Sequence, residues 1–99
     1  MPQPAARIGD TFSTGHGCSP ISTIATGAPT VIIEGRPAAR IGDTSAVHTI
    51  LIGKSCVPHV VPIITGSPTV IVEGRPLARV GDKIDFGIIT TGAPTVFAG

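Results

Sequence analysis

Five residues of this chain carry side chains suited to a transition metal: His16, Cys18, His48, Cys56 and His59. They are all of its histidines and cysteines. Imidazole nitrogen and thiolate sulfur are the usual ligands of zinc, which takes four of them tetrahedrally. Two short chelating spacings occur. Cys56-Val-Pro-His59 has a proline to stiffen the bite, and His16-Gly-Cys18 is its rival. The donor set read from these residues is His16, His48, Cys56 and His59, with Cys18 as the alternative to Cys56. Four protein ligands leave no open position for water, so one structural zinc is expected rather than a catalytic one. The competing use of the two thiols is a Cys18–Cys56 disulfide.

Other chemistry finds little footing. The serines have no His–Asp partnership in linear context, and no GxxxxGK[ST] phosphate loop is present. Asp85 would meet Glu34 or Glu73 as acid and base only by a coincidence of folding. No enzyme is expected, and a metal-dependent hydrolase is the alternative. Net charge is +1, with no Trp or Tyr. Nucleic-acid binding wants clustered Lys/Arg and stacking aromatics, so it is not expected. The opening "MPQPAARIGD" has no signal-peptide core and no apolar run reaches membrane-spanning length. Folding in the cytoplasm is the expectation, where thiols bind metal more readily than they oxidise.

The five residues lie in linkers between copies of a repeat. "TGAPTVIIEGRPAARIGD" covers Thr26 to Asp43 and "TGSPTVIVEGRPLARVGD" covers Thr65 to Asp82. A third copy is split, with "PAARIGD" at Pro4–Asp10 and "TGAPTVFAG" at Thr91–Gly99. Complementary halves at the two ends imply a closed, pseudo-threefold arrangement in which the N-terminal strand meets the C-terminal one. Closure would also remove exposed strand edges. With 13 Gly and 10 Pro punctuating β-branched runs, each unit reads as a hairpin, turning at Glu34-Gly35 in the first full copy. The fold class is therefore all-β, built of short strands and hairpins, in a single domain over 1–99. Arg7, Arg40 and Arg79 recur with Asp10, Asp43 and Asp82 as structural ion pairs or turn caps, or as a charged site repeated three times. The linkers Thr11–Ala25, Thr44–Ile64 and Lys83–Thr90 should gather at one end, bringing the metal ligands together.

The three "PxAR[IV]GD" and three "TG[AS]PTV" phrases, with the His/Cys-bearing linkers, resemble the PAAR-repeat family over nearly the whole chain. The resemblance implies a small cone, stapled near its apex by a zinc on three His and one Cys. Its base would sit on a trimeric VgrG-type spike of a type VI secretion system or a related contractile tail, one chain per trimer. The implied function is to cap and sharpen that spike for membrane puncture, with effector proteins as further partners and only transient contact with the target membrane. Such a tip would be assembled in the cytoplasm and ejected. A free-standing effector or metalloenzyme of the same system is the alternative. The repeat arms around Thr26, Thr65, Thr91 and Arg7, Arg40, Arg79 are the structural candidates for the partner face.

Overall fold

The computed structural model describes residues 2–99, which form twelve short strands and no helix. In chain order these are β1 (Gln3–Pro4), β2 (Thr11–Ser13), β3 (Ile21–Thr23), β4 (Ile32–Ile33), β5 (Arg36–Pro37), β6 (His48–Ile52), β7 (Ser55–His59), β8 (Ile71–Val72), β9 (Arg75–Pro76), β10 (Lys83–Ile84), β11 (Gly87–Ile88) and β12 (Phe97–Ala98). They pair antiparallel two by two. Three of the pairs come from the repeat: β4 with β5, β8 with β9, and β1 with β12. Their registers correspond, Ile32 opposite Pro37, Ile71 opposite Pro76, and Phe97 opposite Pro4. The split copy thus rebuilds between the chain's two ends the pair that the intact copies make through a tight turn. In the intact copies both turn residues have positive φ, Glu34 at 48° and Gly35 at 82°, Glu73 at 48° and Gly74 at 83°. That is the turn whose twist suits a two-residue hairpin, and glycine meets its second position without strain.

Backbone bonds then join the three arms in a cycle. Ala6 N–H donates to Ala78 C=O, Ala78 to Ala39, and Ala39 to Ala6, each at 2.9 Å. All three alanines are fully buried. No side chain larger than a methyl group is carried at these close-packed positions.

The motif residues hold each arm in shape. The Asp10 carboxylate accepts from the Arg7 backbone N–H at 2.8 Å and from its guanidinium at 3.0 and 3.1 Å. Asp43 does the same for Arg40, and Asp82 for Arg79. The turn-cap reading of Arg and Asp is the one realised. The threonine of TG[AS]PTV closes each unit from its other half. Thr26, Thr65 and Thr91 donate to Asp43, Asp82 and Asp10, and accept from the N–H of Thr44, Lys83 and Thr11. The Gly of the same phrase lies against backbone. A Cβ on Gly27, Gly66 or Gly92 would stand 2.7, 2.9 or 2.8 Å from the carbonyl oxygen of Ala38, Leu77 or Ala5.

Two small apolar clusters fill the interior. One contains Ile33, Val72, Leu77 and Ala98; the other contains Phe12, Ile24, Ile63, Ile84 and Ile89. Beyond the second cluster, the Phe12 ring meets the imidazole of His48 edge-on at 5.8 Å. The linkers supply the remaining pairs, β2 with β3, β6 with β7, and β10 with β11.

Candidate metal centre

His48 opens β6 and His59 closes β7, and the hairpin register sets them directly opposite each other. Cross-strand partners share a face, so the two imidazoles meet, with ring centroids 5.0 Å apart. His16 comes from the loop after β2 and stacks on His48 at 5.3 Å. Asp85 comes from the two-residue turn between β10 and β11, where its φ is 59°. A non-glycine residue in the left-handed region is strained by roughly 1–3 kcal/mol. The strained turn presents the Asp85 carboxylate to all three imidazoles.

The geometry is convergent. His16 Nε2 lies 2.6 Å and His48 Nε2 3.1 Å from Asp85 Oδ2, and His59 Nε2 lies 3.3 Å from Oδ1. The four potential ligand atoms all fall within 4.8 Å of one another. The Asp85 side chain is 2% exposed and that of His59 26%, so the group is buried with one wetter side. Burial pushes the Asp85 carboxyl up, while the hydrogen bonds from His16, His48 and His59 together outweigh it and hold the carboxyl below its ordinary value.

The donor set fits a bound cation. His48 Nδ1 is 3.0 Å from the Ala46 carbonyl, which can only accept, so that nitrogen carries the proton. In the neutral ring Nε2 then bears a lone pair. A lone pair and a carboxylate facing each other at 3.1 Å repel unless a positive charge lies between them. A proton on the ring or a metal ion meets that need, and three imidazoles with one carboxylate suit a tetrahedral divalent ion. His16 Nδ1 is buried with no hydrogen-bond partner among the described residues.

Neither cysteine takes part, which corrects the donor set read from spacing. Cys18 and Cys56 are joined in a disulfide. The reason lies in strand alternation. In β7, residues three apart point to opposite faces, so Cys56 faces away from the imidazole side that His59 shares with His48. On that other face Thr49 hydrogen-bonds Ser19, which fastens the loop carrying Cys18 beside Cys56. The Cys-x-x-His spacing would suit a chelate on a turn, but the chain makes it a strand. The expectation of reduced thiols fails with it. The residue missed was Asp85. Its signal was the threefold logic itself: two linkers bring histidine, and the third offers only Lys83 and Asp85 as charged side chains.

Compared with known families, the chain matches the model described as PAAR motif over residues 1–53 and again over 53–87. No curated protein matches it.

Proposed function

Because the chain belongs to the PAAR motif family, a family associated with the spike of type VI secretion systems, we propose that it is the spike's tip and caps a trimeric VgrG-type protein, one chain per trimer. The observation that carries this reading is a set of three equivalent apolar side chains. Ile32, Ile71 and Phe97 occupy the same register position in β4, β8 and β12, and are 55, 59 and 56% exposed. Large apolar groups left in water at symmetric positions fit burial on a partner. One chain with three like arms is the form that can meet a true trimer without leaving two of its faces unmatched. The body measures 41 × 27 × 21 Å, an elongated shape suited to a tip.

The ion we assign to His16, His48, His59 and Asp85 is zinc. Its role is structural, as four protein ligands leave no vacancy for substrate. It would tie three linkers to one point and resist their separation under load. The tip would be ejected with the spike and carry effectors with it.

The test is co-purification with the trimeric spike protein of the same genome, with mass measured by light scattering. One chain per three spike subunits is expected. Ile71→Asp with Ile32→Asp should abolish the complex while leaving the melting temperature within a few degrees, since both side chains are exposed. No complex with any trimeric spike protein, or a complex indifferent to both substitutions, would overturn the reading.

A further inference from the structure

The threefold arrangement is broken at one place. In two arms the hairpin turn Glu-Gly-Arg docks on the neighbouring arm. Glu34 lies 3.5 Å from Arg7 and accepts from the Thr95 N–H at 3.0 Å; Glu73 lies 3.5 Å from Arg40 and accepts from the Thr30 N–H at 2.9 Å. The arginine of each turn then covers the next two residues. Arg36 donates to the Ile8 carbonyl at 3.4 Å and Arg75 to the Ile41 carbonyl at 3.3 Å. They lie so close over Gly9 and Gly42 that a Cβ there would meet them at 2.8 and 2.9 Å.

At the third such junction the receptor, on the Thr65–Asp82 copy, is kept, and the split copy lacks the ligand. Gly99 stands where Glu34 and Glu73 stand, and Gln3 where Arg36 and Arg75 stand. Arg79 has no Glu partner among the described residues, and its side chain is 18% exposed against 6 and 7% for Arg7 and Arg40. Among the described residues the Val80 carbonyl accepts no hydrogen bond, and nothing lies within 4 Å of a Cβ on Gly81. The space left is a pocket of about 280 Å³ lined by Gln3, Arg79, Val80, Gly81 and Asp82. On this arm the Ser67 hydroxyl donates to the carbonyl of Gly99, the residue at the glutamate position. The N–H of Thr69, whose counterparts bond a glutamate, bonds Ser67, and Ser67 replaces the alanine of the other two copies.

We propose that this pocket binds a turn of a partner polypeptide carrying a carboxylate and, two residues on, an arginine. The carboxylate pairs with Arg79, and the guanidinium donates to Val80 C=O across Gly81. The ligand class is read from the two filled pockets, whose occupant is Glu-Gly-Arg. A second copy of this chain is a poor occupant, because its own two such turns are already docked. The site goes beyond the spike-capping reading, since it is one pocket per chain and breaks the threefold symmetry that capping uses.

The test is an NMR titration of the isotopically labelled full chain with acetyl-Val-Glu-Gly-Arg-Pro-amide. An exposed ion pair contributes little, so a dissociation constant on the order of 1 mM is expected. The Val80 and Gly81 amides should shift saturably, while Gly9 and Gly42, already covered, stay still. The double variant Gln3→Arg, Gly99→Glu fills the pocket with the chain's own side chains, and should keep the fold and lose the shifts. No shift at Gly81, equal shifts at Gly9 and Gly42, binding undiminished in the double variant, or the same shifts with sodium acetate alone would each overturn the proposal. None of these readouts involves the spike protein, so failure here leaves the capping reading untouched.

Discussion

A single residue decides what the cluster can be. With a sulfur ligand the centre would be a mixed Cys/His site; with Asp85 it is three imidazoles and a carboxylate. Asp85→Asn keeps the size and removes the charge. Elemental analysis of protein purified without added metal should then fall from about one equivalent to well below half. Cys56→Ser should leave the metal content unchanged. It should nonetheless lower stability, because the disulfide closes a loop with a sequence separation of 38 residues, and losing such a cross-link costs about 2–4 kcal/mol. A second carboxylate contributes to the acid sensitivity of the fold. Burial raises Asp43, but hydrogen bonds from Arg40 and Thr26 and the Arg40 charge win and hold it below its ordinary 3.8. A carboxyl depressed on folding adds stability that is full above the unfolded value and lost as pH falls through the folded one. Stability of the metal-free protein should therefore decline below pH 3.8, and the decline should be shallower in Asp43→Asn, as followed by urea midpoints.

Among the elements, the repeat unit is the piece that must not vary, and its glycines say why. Gly66 has its missing Cβ 2.9 Å from a backbone carbonyl, a distance no side chain tolerates without movement. Gly66→Ala should cost about 1–3 kcal/mol from overpacking. Gly17→Ala is the contrast, with open space around its Cβ and no positive φ. It should change the urea midpoint hardly at all. The threonine bonds give a sharper test of equivalence. Thr26, Thr65 and Thr91 each donate to an Asp and accept one backbone N–H. Replacing any of them with Val should cost a similar amount, about 1–3 kcal/mol for the groups left unpaired. Thr91 should behave like the other two although its partner Asp10 lies 81 residues away in sequence.

In the whole molecule, the first and last described strands are built into the body. Ala93 and Ala98 belong to the same apolar cluster as Ala5, Ala38 and Leu77, and β12 completes the third arm against β1. The cycle of alanine bonds needs all three arms, because each arm accepts from one neighbour and donates to the other. Removing residues 91–99 should therefore abolish the cooperative thermal transition of the whole body, not merely fray one edge, and circular dichroism will follow it. Chelating the proposed metal should act differently. It loosens the three linkers held at Asp85 while leaving the hydrogen bonds of the arms in place, so a lowered but still cooperative transition is expected.

The repeat, its splitting between residues 4–10 and 91–99 and the all-β character were legible in the residues alone. Each follows from demands that recur identically in three places: a glycine against a carbonyl, a threonine on an aspartate, an alanine where backbones crowd. Equivalent surroundings select equivalent residues, so the pattern is readable without coordinates. The histidines were legible for the opposite reason, as chemically distinctive residues confined to the linkers that leave the pattern. The fate of the cysteines and the part played by Asp85 were decided only by the tertiary structure. Cys56 is separated from His59 by the alternation of a strand whose register is set by its partner. Asp85 reaches the imidazoles through a turn with positive φ, a backbone state its side chain does not announce. Spacing along the chain constrains which residues can be near. The direction in which each side chain points depends on strand pairing, and pairing is a property of the folded whole.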